Sequence, residues 1–407
     1  MKAKALVALA LVLAAAAAAG CGGSSSGGGG DQVKIGASLP LSGPLAGFGS
    51  FVKWGYQAAV ADVNKKGGID VGGKKKKVKL VLLDDKTDPN TVANNTTRLI
   101  TRDRVHAMLG SCTPALVNAG AIVADRNRVP LVTGCDPLEA FKAVKKNWQY
   151  VWDLFFDEPE LAALPFQTLK NLGLDAKTNK KVAILHDNGP DGQVVGGKLW
   201  PAVAKKFGFK VVQNSSFPPD STQFGSLIGT AKGSGADVVL VDSLTPQAIA
   251  IRKQMKAAGL TPKVLVMEKG GEPVQFAQAL GKLSDGILVG GYWDPSLPYP
   301  GAKTLGERFE RETHRTQSQH IADSYTAAMV LMDAIGRAGT TDKAKVNDAI
   351  SKTNKTYVAG PVKFDVHHTA KLNLVQDQWQ GGKAVVVGPT KKVQTGKFLF
   401  PVPGAGA

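Results

Sequence analysis

Four short stretches pair a capping residue with a proline: Thr87-Asp88-Pro89, Cys112-Thr113-Pro114, Cys135-Asp136-Pro137 and Leu244-Thr245-Pro246. Each follows an apolar, strand-like run and precedes a helical pattern. Ser, Thr or Asp before a first-turn proline marks a helix start. Such starts present unpaired backbone N–H groups and the positive end of the helix dipole, which favour a carboxylate or another anion. The chemistry on offer is recognition, not bond making. Thr113 adds a hydroxyl able to donate to a carboxylate. Asp136 would repel an anion and reads as a cap, with Glu139 at the third helical position. Asp88 and Thr245 read as ordinary caps.

Reactive constellations are broken or missing. The run GQVVGGKL, 192–199, has the spacing of a phosphate-binding loop up to Lys198, but Leu199 stands where a magnesium ligand needs Ser or Thr. No G-x-G-x-x-G follows the first strand, and H-E-x-x-H does not occur. His367 and His368 are adjacent, so on a strand they face opposite sides. No enzyme activity, metal site or cofactor is expected.

The elements that must position these helix starts alternate regularly. Strand patterns fall at 33–40, 78–84, 105–110 and 129–133, with helical patterns between them. After an aromatic break at 147–160 the alternation restarts, with strands at 181–187, 209–214, 236–242 and 263–268. A helical pattern here contains Pro201, which predicts a kink. The order βαβαβ argues for parallel sheets covered by helices. The tail adds a long helical pattern at 320–339 and short strands at 374–379 and 384–388, too few pieces for a third core. The fold expected is α/β, with two doubly wound, Rossmann-like lobes joined by a multi-stranded hinge. The first lobe takes 33–152 with 293–371, and the second 153–292 with 372–403. In such sheets ligands sit beyond the carboxyl ends of the strands, so the cleft between lobes is the candidate site. Trp148, Trp152, Phe155 and Phe156 cluster at one crossing and read as core or hinge packing. Trp293 and Tyr299 flank the other crossing, where they would rim the cleft.

The chain has 407 residues, 43% of them hydrophobic, and a net charge of +17. That length suits about two or three domains. The basic balance does not imply nucleic-acid binding, because the lysines are dispersed. Their one dense run, Lys74 to Lys77, reads as a solvated hairpin tip. At the amino end, Lys2 and Lys4 precede an apolar stretch from Ala5 to Ala19, then Gly20 and Cys21. This is the pattern of an export signal, 1–20. AAGC resembles a lipobox, making Cys21 the expected lipid attachment site. Only Gly and Ser fill 22–30, and 21–32 reads as anchor plus flexible tether. With Cys21 lipidated, two cysteines remain at the ends of neighbouring strands. Cys112 and Cys135 either pair, if their Cα atoms come within about 7 Å, or stay as two small thiols lining the cleft.

SLPLSGPLAGFG, NKKGGI and LLDDKTDPN, followed by AILHD and GLTPKVLVMEKGGEP, carry a resemblance. In order and spacing the chain is similar to periplasmic type I solute-binding proteins, closest to the branched-chain amino-acid (Leu/Ile/Val) binding components of ABC importers in lipoprotein form. The resemblance implies a site. The loop after the first strand would contribute Ser42 and Phe48. Hydroxyls and amides at Ser111, Cys112, Thr113, Gly134 and Cys135 would hold a ligand carboxylate. Glu268 would hold its ammonium, unless it is a surface glutamate paired with Lys269. The loop after AILHD lacks the tyrosine common in amino-acid binders and offers Asp191 instead. That extra carboxylate suits a more cationic or hydroxylated ligand, or an amide, rather than leucine or valine. The implied function is capture of a small polar solute by hinge closure, with an ABC permease and ATPase as partners. The protein would be a monomer at the outer face of the membrane or in the periplasm. Three other readings stay open: a sensor module of the same fold, a binder of amides, urea or aromatic acids rather than amino acids, and a hydrolase acting in the cleft.

Overall fold

The computed structural model describes residues 32–404. The export signal, Cys21 and the Gly/Ser tether lie outside the described residues. Strand and helix alternate through the first half: β1 (Gln32–Leu39), α1 (Ala46–Lys65), β2 (Ile69–Val71), β3 (Lys74–Asp84), α2 (Pro89–Thr101), β4 (Ala107–Leu109), α3 (Pro114–Arg126), β5 (Leu131–Thr133), α4 (Leu138–Val144) and β6 (Val151–Phe155). The pattern repeats with α5 (Glu158–Asn171), β7 (Lys181–Asp187), α6 (Pro190–Val194), α7 (Trp200–Lys206), β8 (Lys210–Phe217), α8 (Gly225–Ser234), β9 (Val238–Ser243), α9 (Thr245–Ala257), β10 (Val264–Lys269), α10 (Val274–Leu280) and β11 (Leu288–Gly291). The remainder is α11 (Ala302–Thr313), α12 (His320–Ala338), α13 (Lys343–Ser351), β12 (Asn354–Tyr357), β13 (Gly360–Lys363), β14 (Thr369–Lys371), β15 (Val375–Gln380) and β16 (Lys383–Gly388). Among the described residues no helix is long and apolar enough to cross a membrane.

Two seven-stranded sheets result, giving the two-lobed α/β fold expected. The first runs β14-β6-β5-β4-β1-β3-β2, parallel except for the β2–β3 hairpin. The second runs β16-β15-β11-β10-β9-β7-β8, parallel from β8 to β11, with β15 and β16 antiparallel at its edge. In each sheet the strand that comes first along the chain lies inside, with later strands on both sides. The order reverses beside β1 and beside β7, and the loops diverge there to leave a crevice. The central strands are buried on both faces, so β9 reads VVLVDS and β10 reads VLVMEK without polar alternation.

The aromatic break at 147–160 contains β6, a further strand of the first sheet, and the chain crosses to the second sheet at 156–157. It crosses back at 292–301 and again at 372–374. Between those crossings, α12 packs on α1, and Phe309 of α11 contacts Phe51 and Trp54 of α1. The kink expected at Pro201 takes the form of a widened turn over Val195–Leu199, just before α7. Proline cannot supply the N–H that an ordinary helical ladder would need there.

Local readings need correction in two places. The Lys74–Lys77 run is not a hairpin tip: it opens β3, and Gly72 and Gly73 make the turn. Of the four Pro-marked helix starts, Asp88 is the one whose side chain caps, accepting from the N–H groups of Asn90 and Thr91. Asp136 caps nothing, because α4 starts two residues later and the carboxylate turns inward to Asn118 Nδ2 at 2.8 Å. Thr245 is already the first residue of α9.

Gly55 marks the tightest α1–α12 approach: a Cβ there would lie 2.0 Å from Ser324 Oγ and 2.8 Å from the Ile321 carbonyl. Gly229, inside α8, has open space around the same position. Gly55→Val is expected to cost about 1–3 kcal/mol in urea unfolding. Gly229→Ala should gain about 0.5–1 kcal/mol. Equal effects would disprove close packing as the reason for Gly55.

Candidate functional site

A cavity of about 240 Å3 lies where the carboxyl ends of the two sheets face each other. From the first lobe come Leu45 and Phe48 after β1, Cys112 to Ala115 after β4, Cys135 and Pro137 after β5, Phe155 at the end of β6 with Phe156 at the crossing beside it, and His320 opening α12. From the second come Leu161, Asp187, Asp191, Val195, Asp242, Leu244, Glu268, Lys269 and Glu272. Apolar and aromatic groups make one part of the wall, and a cluster of carboxyls makes another.

Lys269 organises the carboxyls. It ends β10 with φ at +58°, a left-handed conformation unusual for a side-chain-bearing residue. Its Nζ lies 2.8 Å from Asp187 Oδ2, 3.0 Å from Asp191 Oδ2 and 3.0 Å from Asp242 Oδ1. Burial opposes its charge, but Asp242, Asp191 and Asp187 outweigh burial and hold the ammonium well above the usual lysine range. Glu268 is thus not a surface partner of Lys269. It is 2% exposed, its Oε2 accepts from the Gly290 N–H at 3.0 Å, and its Oε1 has no partner. Burial, with Glu272 next, pushes its carboxyl well above the ordinary range. Burial likewise brings Glu272 up to about 7, against the opposing pull of His320 and of its hydrogen bond from Gln319.

His320 closes the other side. Its Nδ1 sits 2.9 Å from Asp323 Oδ2 and 2.8 Å from the Tyr292 hydroxyl, which itself donates to Asp323 at 2.5 Å. Burial disfavours the imidazolium, yet Asp323 and Glu272 overcome it and raise the pKa. Phe48 meets the ring edge-on at 5.0 Å.

Cys112 and Cys135 form a disulfide, with Cα atoms 4.9 Å apart. It ties the ends of β4 and β5 together, a cross-link of a size worth about 3 kcal/mol. The two sulfurs and His320 place ligand atoms within 4.8 Å of one another, but the disulfide leaves no thiolate for a metal.

Of the residues singled out from sequence, Phe48, Cys112, Thr113, Cys135, Asp191 and Glu268 line the cavity. Ser42, Ser111 and Gly134 do not. Ser42 Oγ donates to Asp84 at 2.7 Å, and Ser111 Oγ donates to Asp85 at 2.9 Å. Gly134 is pressed on α12, where a Cβ would meet the Asp323 carbonyl at 3.2 Å. Trp293 and Tyr299 stay outside this cavity as well; the Trp293 indole donates to the Val358 carbonyl. Phe155 and Phe156, read as packing, are wall residues. Asp187 and Asp242 end strand patterns, and Glu272 shares a loop with Glu268, so each carried a faint positional signal. Lys269 had been read only as a surface partner for Glu268. His320 carried none, because α12 reaches the site only through its packing on α1. The phosphate-loop-like 192–199 is helical, with Gly196 against His186.

Glu158, buried behind the cavity with neither carboxylate oxygen bonded, is pushed from 4.5 up to about 9 by burial, then by Asp191 and Glu139. Between those values the folded chain keeps a proton that the unfolded chain has released. Stability must therefore fall as pH rises through that window. Glu158→Gln is expected to leave stability unchanged at pH 4.5 and to raise it by on the order of 2 kcal/mol at pH 8. Urea midpoints with no gap at pH 8 would refute the assignment.

Comparison with known proteins agrees with this architecture. The family model for periplasmic binding proteins matches residues 32–383. A Leu/Ile/Val-binding protein homolog of Brucella suis is 27% identical over 378 residues, covering 88% of this chain and 92% of its own. A leucine binding protein from Thermotoga maritima superposes with a TM-score of 0.77 at 26% identity, over 87% of this chain and 97% of that one. An ABC-transporter solute binding protein from R. palustris, in complex with benzoate, shares the fold, with a TM-score of 0.74 at 19% identity, over 88% of this chain and 96% of that one. With a match spanning nearly every described residue and a site at the switch points of two sheets, the chain belongs to the periplasmic binding protein family.

Proposed function

We propose that this protein is the extracytoplasmic substrate-binding component of an ABC importer, and that its ligand is a small α-amino acid with an apolar side chain. The observation that carries the reading is Glu268: a buried carboxyl with a free Oε1 in a cavity whose other walls are largely apolar. A ligand ammonium would satisfy that oxygen and draw the proton off Glu268. The ligand carboxylate would meet the start of α3 on the opposite lobe, where Thr113 adds its hydroxyl. The apolar side chain would lie among Phe48, Phe155, Phe156 and Leu161. A volume of about 240 Å3 is below that of drug-sized pockets and suits one small metabolite. The Brucella and Thermotoga relatives are named for Leu/Ile/Val and leucine binding, which supports the same class.

Asp191, expected to favour a more cationic ligand, shares the Lys269 ammonium with Asp187 and Asp242, so part of its charge is offset within the protein. An acid without an ammonium suits the site poorly. It would face Glu268 and Glu272, while Lys269 and His320 are both held by carboxylates.

Binding would work by population shift: a ligand touching both lobes at once favours the closed arrangement. The ligand-holding lobes take 33–155 with 293–371 and 156–292 with 372–403 as their working units, the expected boundary at 152 moving to 155 so that β6 stays whole in the first sheet. Cys21 would carry lipid, 22–30 would serve as the leash, and the closed monomer would dock on a permease coupled to an ATPase.

Thermal unfolding against leucine, isoleucine, valine, phenylalanine, an aliphatic amide and benzoate tests this. A ligand at 100 times its Kd adds about 2.7 kcal/mol. The apolar amino acids are expected to raise Tm, and the amide and benzoate are not. Stabilisation only by compounds lacking an ammonium would reject the amino-acid reading. Glu268→Gln should weaken binding of the stabilising amino acid about tenfold or more; an unchanged Kd would remove Glu268 from the site.

A further inference from the structure

A second cavity, of about 130 Å3, lies where the chain crosses between lobes. Its walls come from Trp293 and Asp294 after β11, from 316–319 before α12, and from Asp377 and Trp379 of β15. Glu310 and Lys383 stand at its rim, and Glu272 separates it from the ligand cavity. Asp377 sits between Val289 of β11 and Val386 of β16 in the sheet. It is 7% exposed, and its Oδ1 has no hydrogen-bond partner. Gln317 on the facing wall also has an unpartnered oxygen, Oε1. Lys383 is the one basic residue of the wall, and it makes no ion pair with Asp377 among the described residues.

We propose that this hinge cavity is a binding site for a hydrated hard divalent cation of the calcium class, with Asp377 as its anchoring ligand. Four features converge on it. The polar lining consists of carboxylate, amide and hydroxyl oxygens, the donors that hard cations take, with no Cys or His among them. Four carboxyls face one lysine. The orphan Oδ1 of Asp377 lacks the partner that a buried carboxylate requires. The volume holds about four waters at liquid density. Among the described residues no three acidic oxygens of this wall come together into a dry cage, so the ion keeps part of its water shell.

The site has a structural consequence. It joins the 316–319 segment leading into α12 to β15 of the second sheet. Gln319 connects it to the ligand cavity, donating to Glu272 Oε2 at 2.9 Å and accepting from the Tyr292 N–H at 2.9 Å. A cation held here bears on the hinge and on the charge of Glu272, so cation and ligand affinities are coupled reciprocally.

Trp293 and Trp379 in the wall supply the readout. Terbium, which stands in for calcium, should show tryptophan-sensitised emission when added to the chelator-treated protein. Saturation at one ion per chain is expected, with displacement by calcium at about 10−4–10−3 M, the range of extracellular modules. Asp377→Asn should lower terbium affinity at least tenfold, whereas replacing an exposed acid outside both cavities, Asp348→Asn, should leave it unchanged. No saturable emission, or equal emission from Asp377→Asn, would overturn the proposal and leave a protonated acid in a water-filled cavity. Should Asp377→Asn fail to fold, the exposed Lys383→Glu replacement serves instead: it should tighten calcium binding severalfold, and an unchanged affinity would equally refute the site. Neither outcome depends on which amino acid occupies the first cavity.

Discussion

The ammonium of Lys269 is the interaction on which the site depends. Parallel packing brings Asp187, Asp242 and Lys269 to the carboxyl ends of neighbouring strands β7, β9 and β10, and the Asp191 loop folds over the same point. Without the lysine, three carboxylates would crowd a poorly solvated pocket, and uncompensated buried charge of that kind costs several kcal/mol. The left-handed backbone at Lys269 is the strain accepted for aiming its side chain inward. Glu268, the preceding residue of β10, reaches the Gly290 amide and the cavity from its place in the strand.

With Lys269 committed to three partners, the remaining acids stay unbalanced. Glu268, Glu272 and Glu158 are all raised, chiefly by burial. A protein selected only for stability would not retain such a set, because apolar residues of similar size would serve as well or better. Perturbed carboxyls gathered in a cleft are the mark of a site that waits for a charge to arrive. The disulfide contributes differently: it fixes the ends of β4 and β5 that carry Thr113, so the opposite wall is positioned before any ligand enters.

Glu272 places the two cavities in one electrostatic system. It accepts from Gln319, whose own oxygen accepts from the backbone at the crossing after β11. A charge arriving in either cavity would thus act on one carboxyl, which burial raises to about 7. Small changes at either cavity reach the other through direct contacts rather than through a long relay.

The order of strands and helices was legible along the chain because each β-run and helical face has its own apolar period, and that order already implied two parallel sheets with a crevice at their switch points. Thr113 was legible for the same reason: it follows a strand pattern, where loops must face the crevice, whereas Phe48, Asp191 and Glu268 were reached only through the resemblance to type I solute-binding proteins. Side-chain direction was not. Ser42 and Ser111 have the right position but are turned to Asp84 and Asp85, which satisfy their hydroxyls away from the cavity. Asp136 looked like a cap, yet α4 begins too late for it to act as one. His320 arrives from the far end of the sequence because Gly55 lets α12 approach α1 closely. Periodicity and local spacing determined the elements, since those are properties of neighbouring residues. Which polar groups pair, and which are left facing the cavity, was decided only in the tertiary structure, where each donor takes the acceptor that distant packing brings within reach.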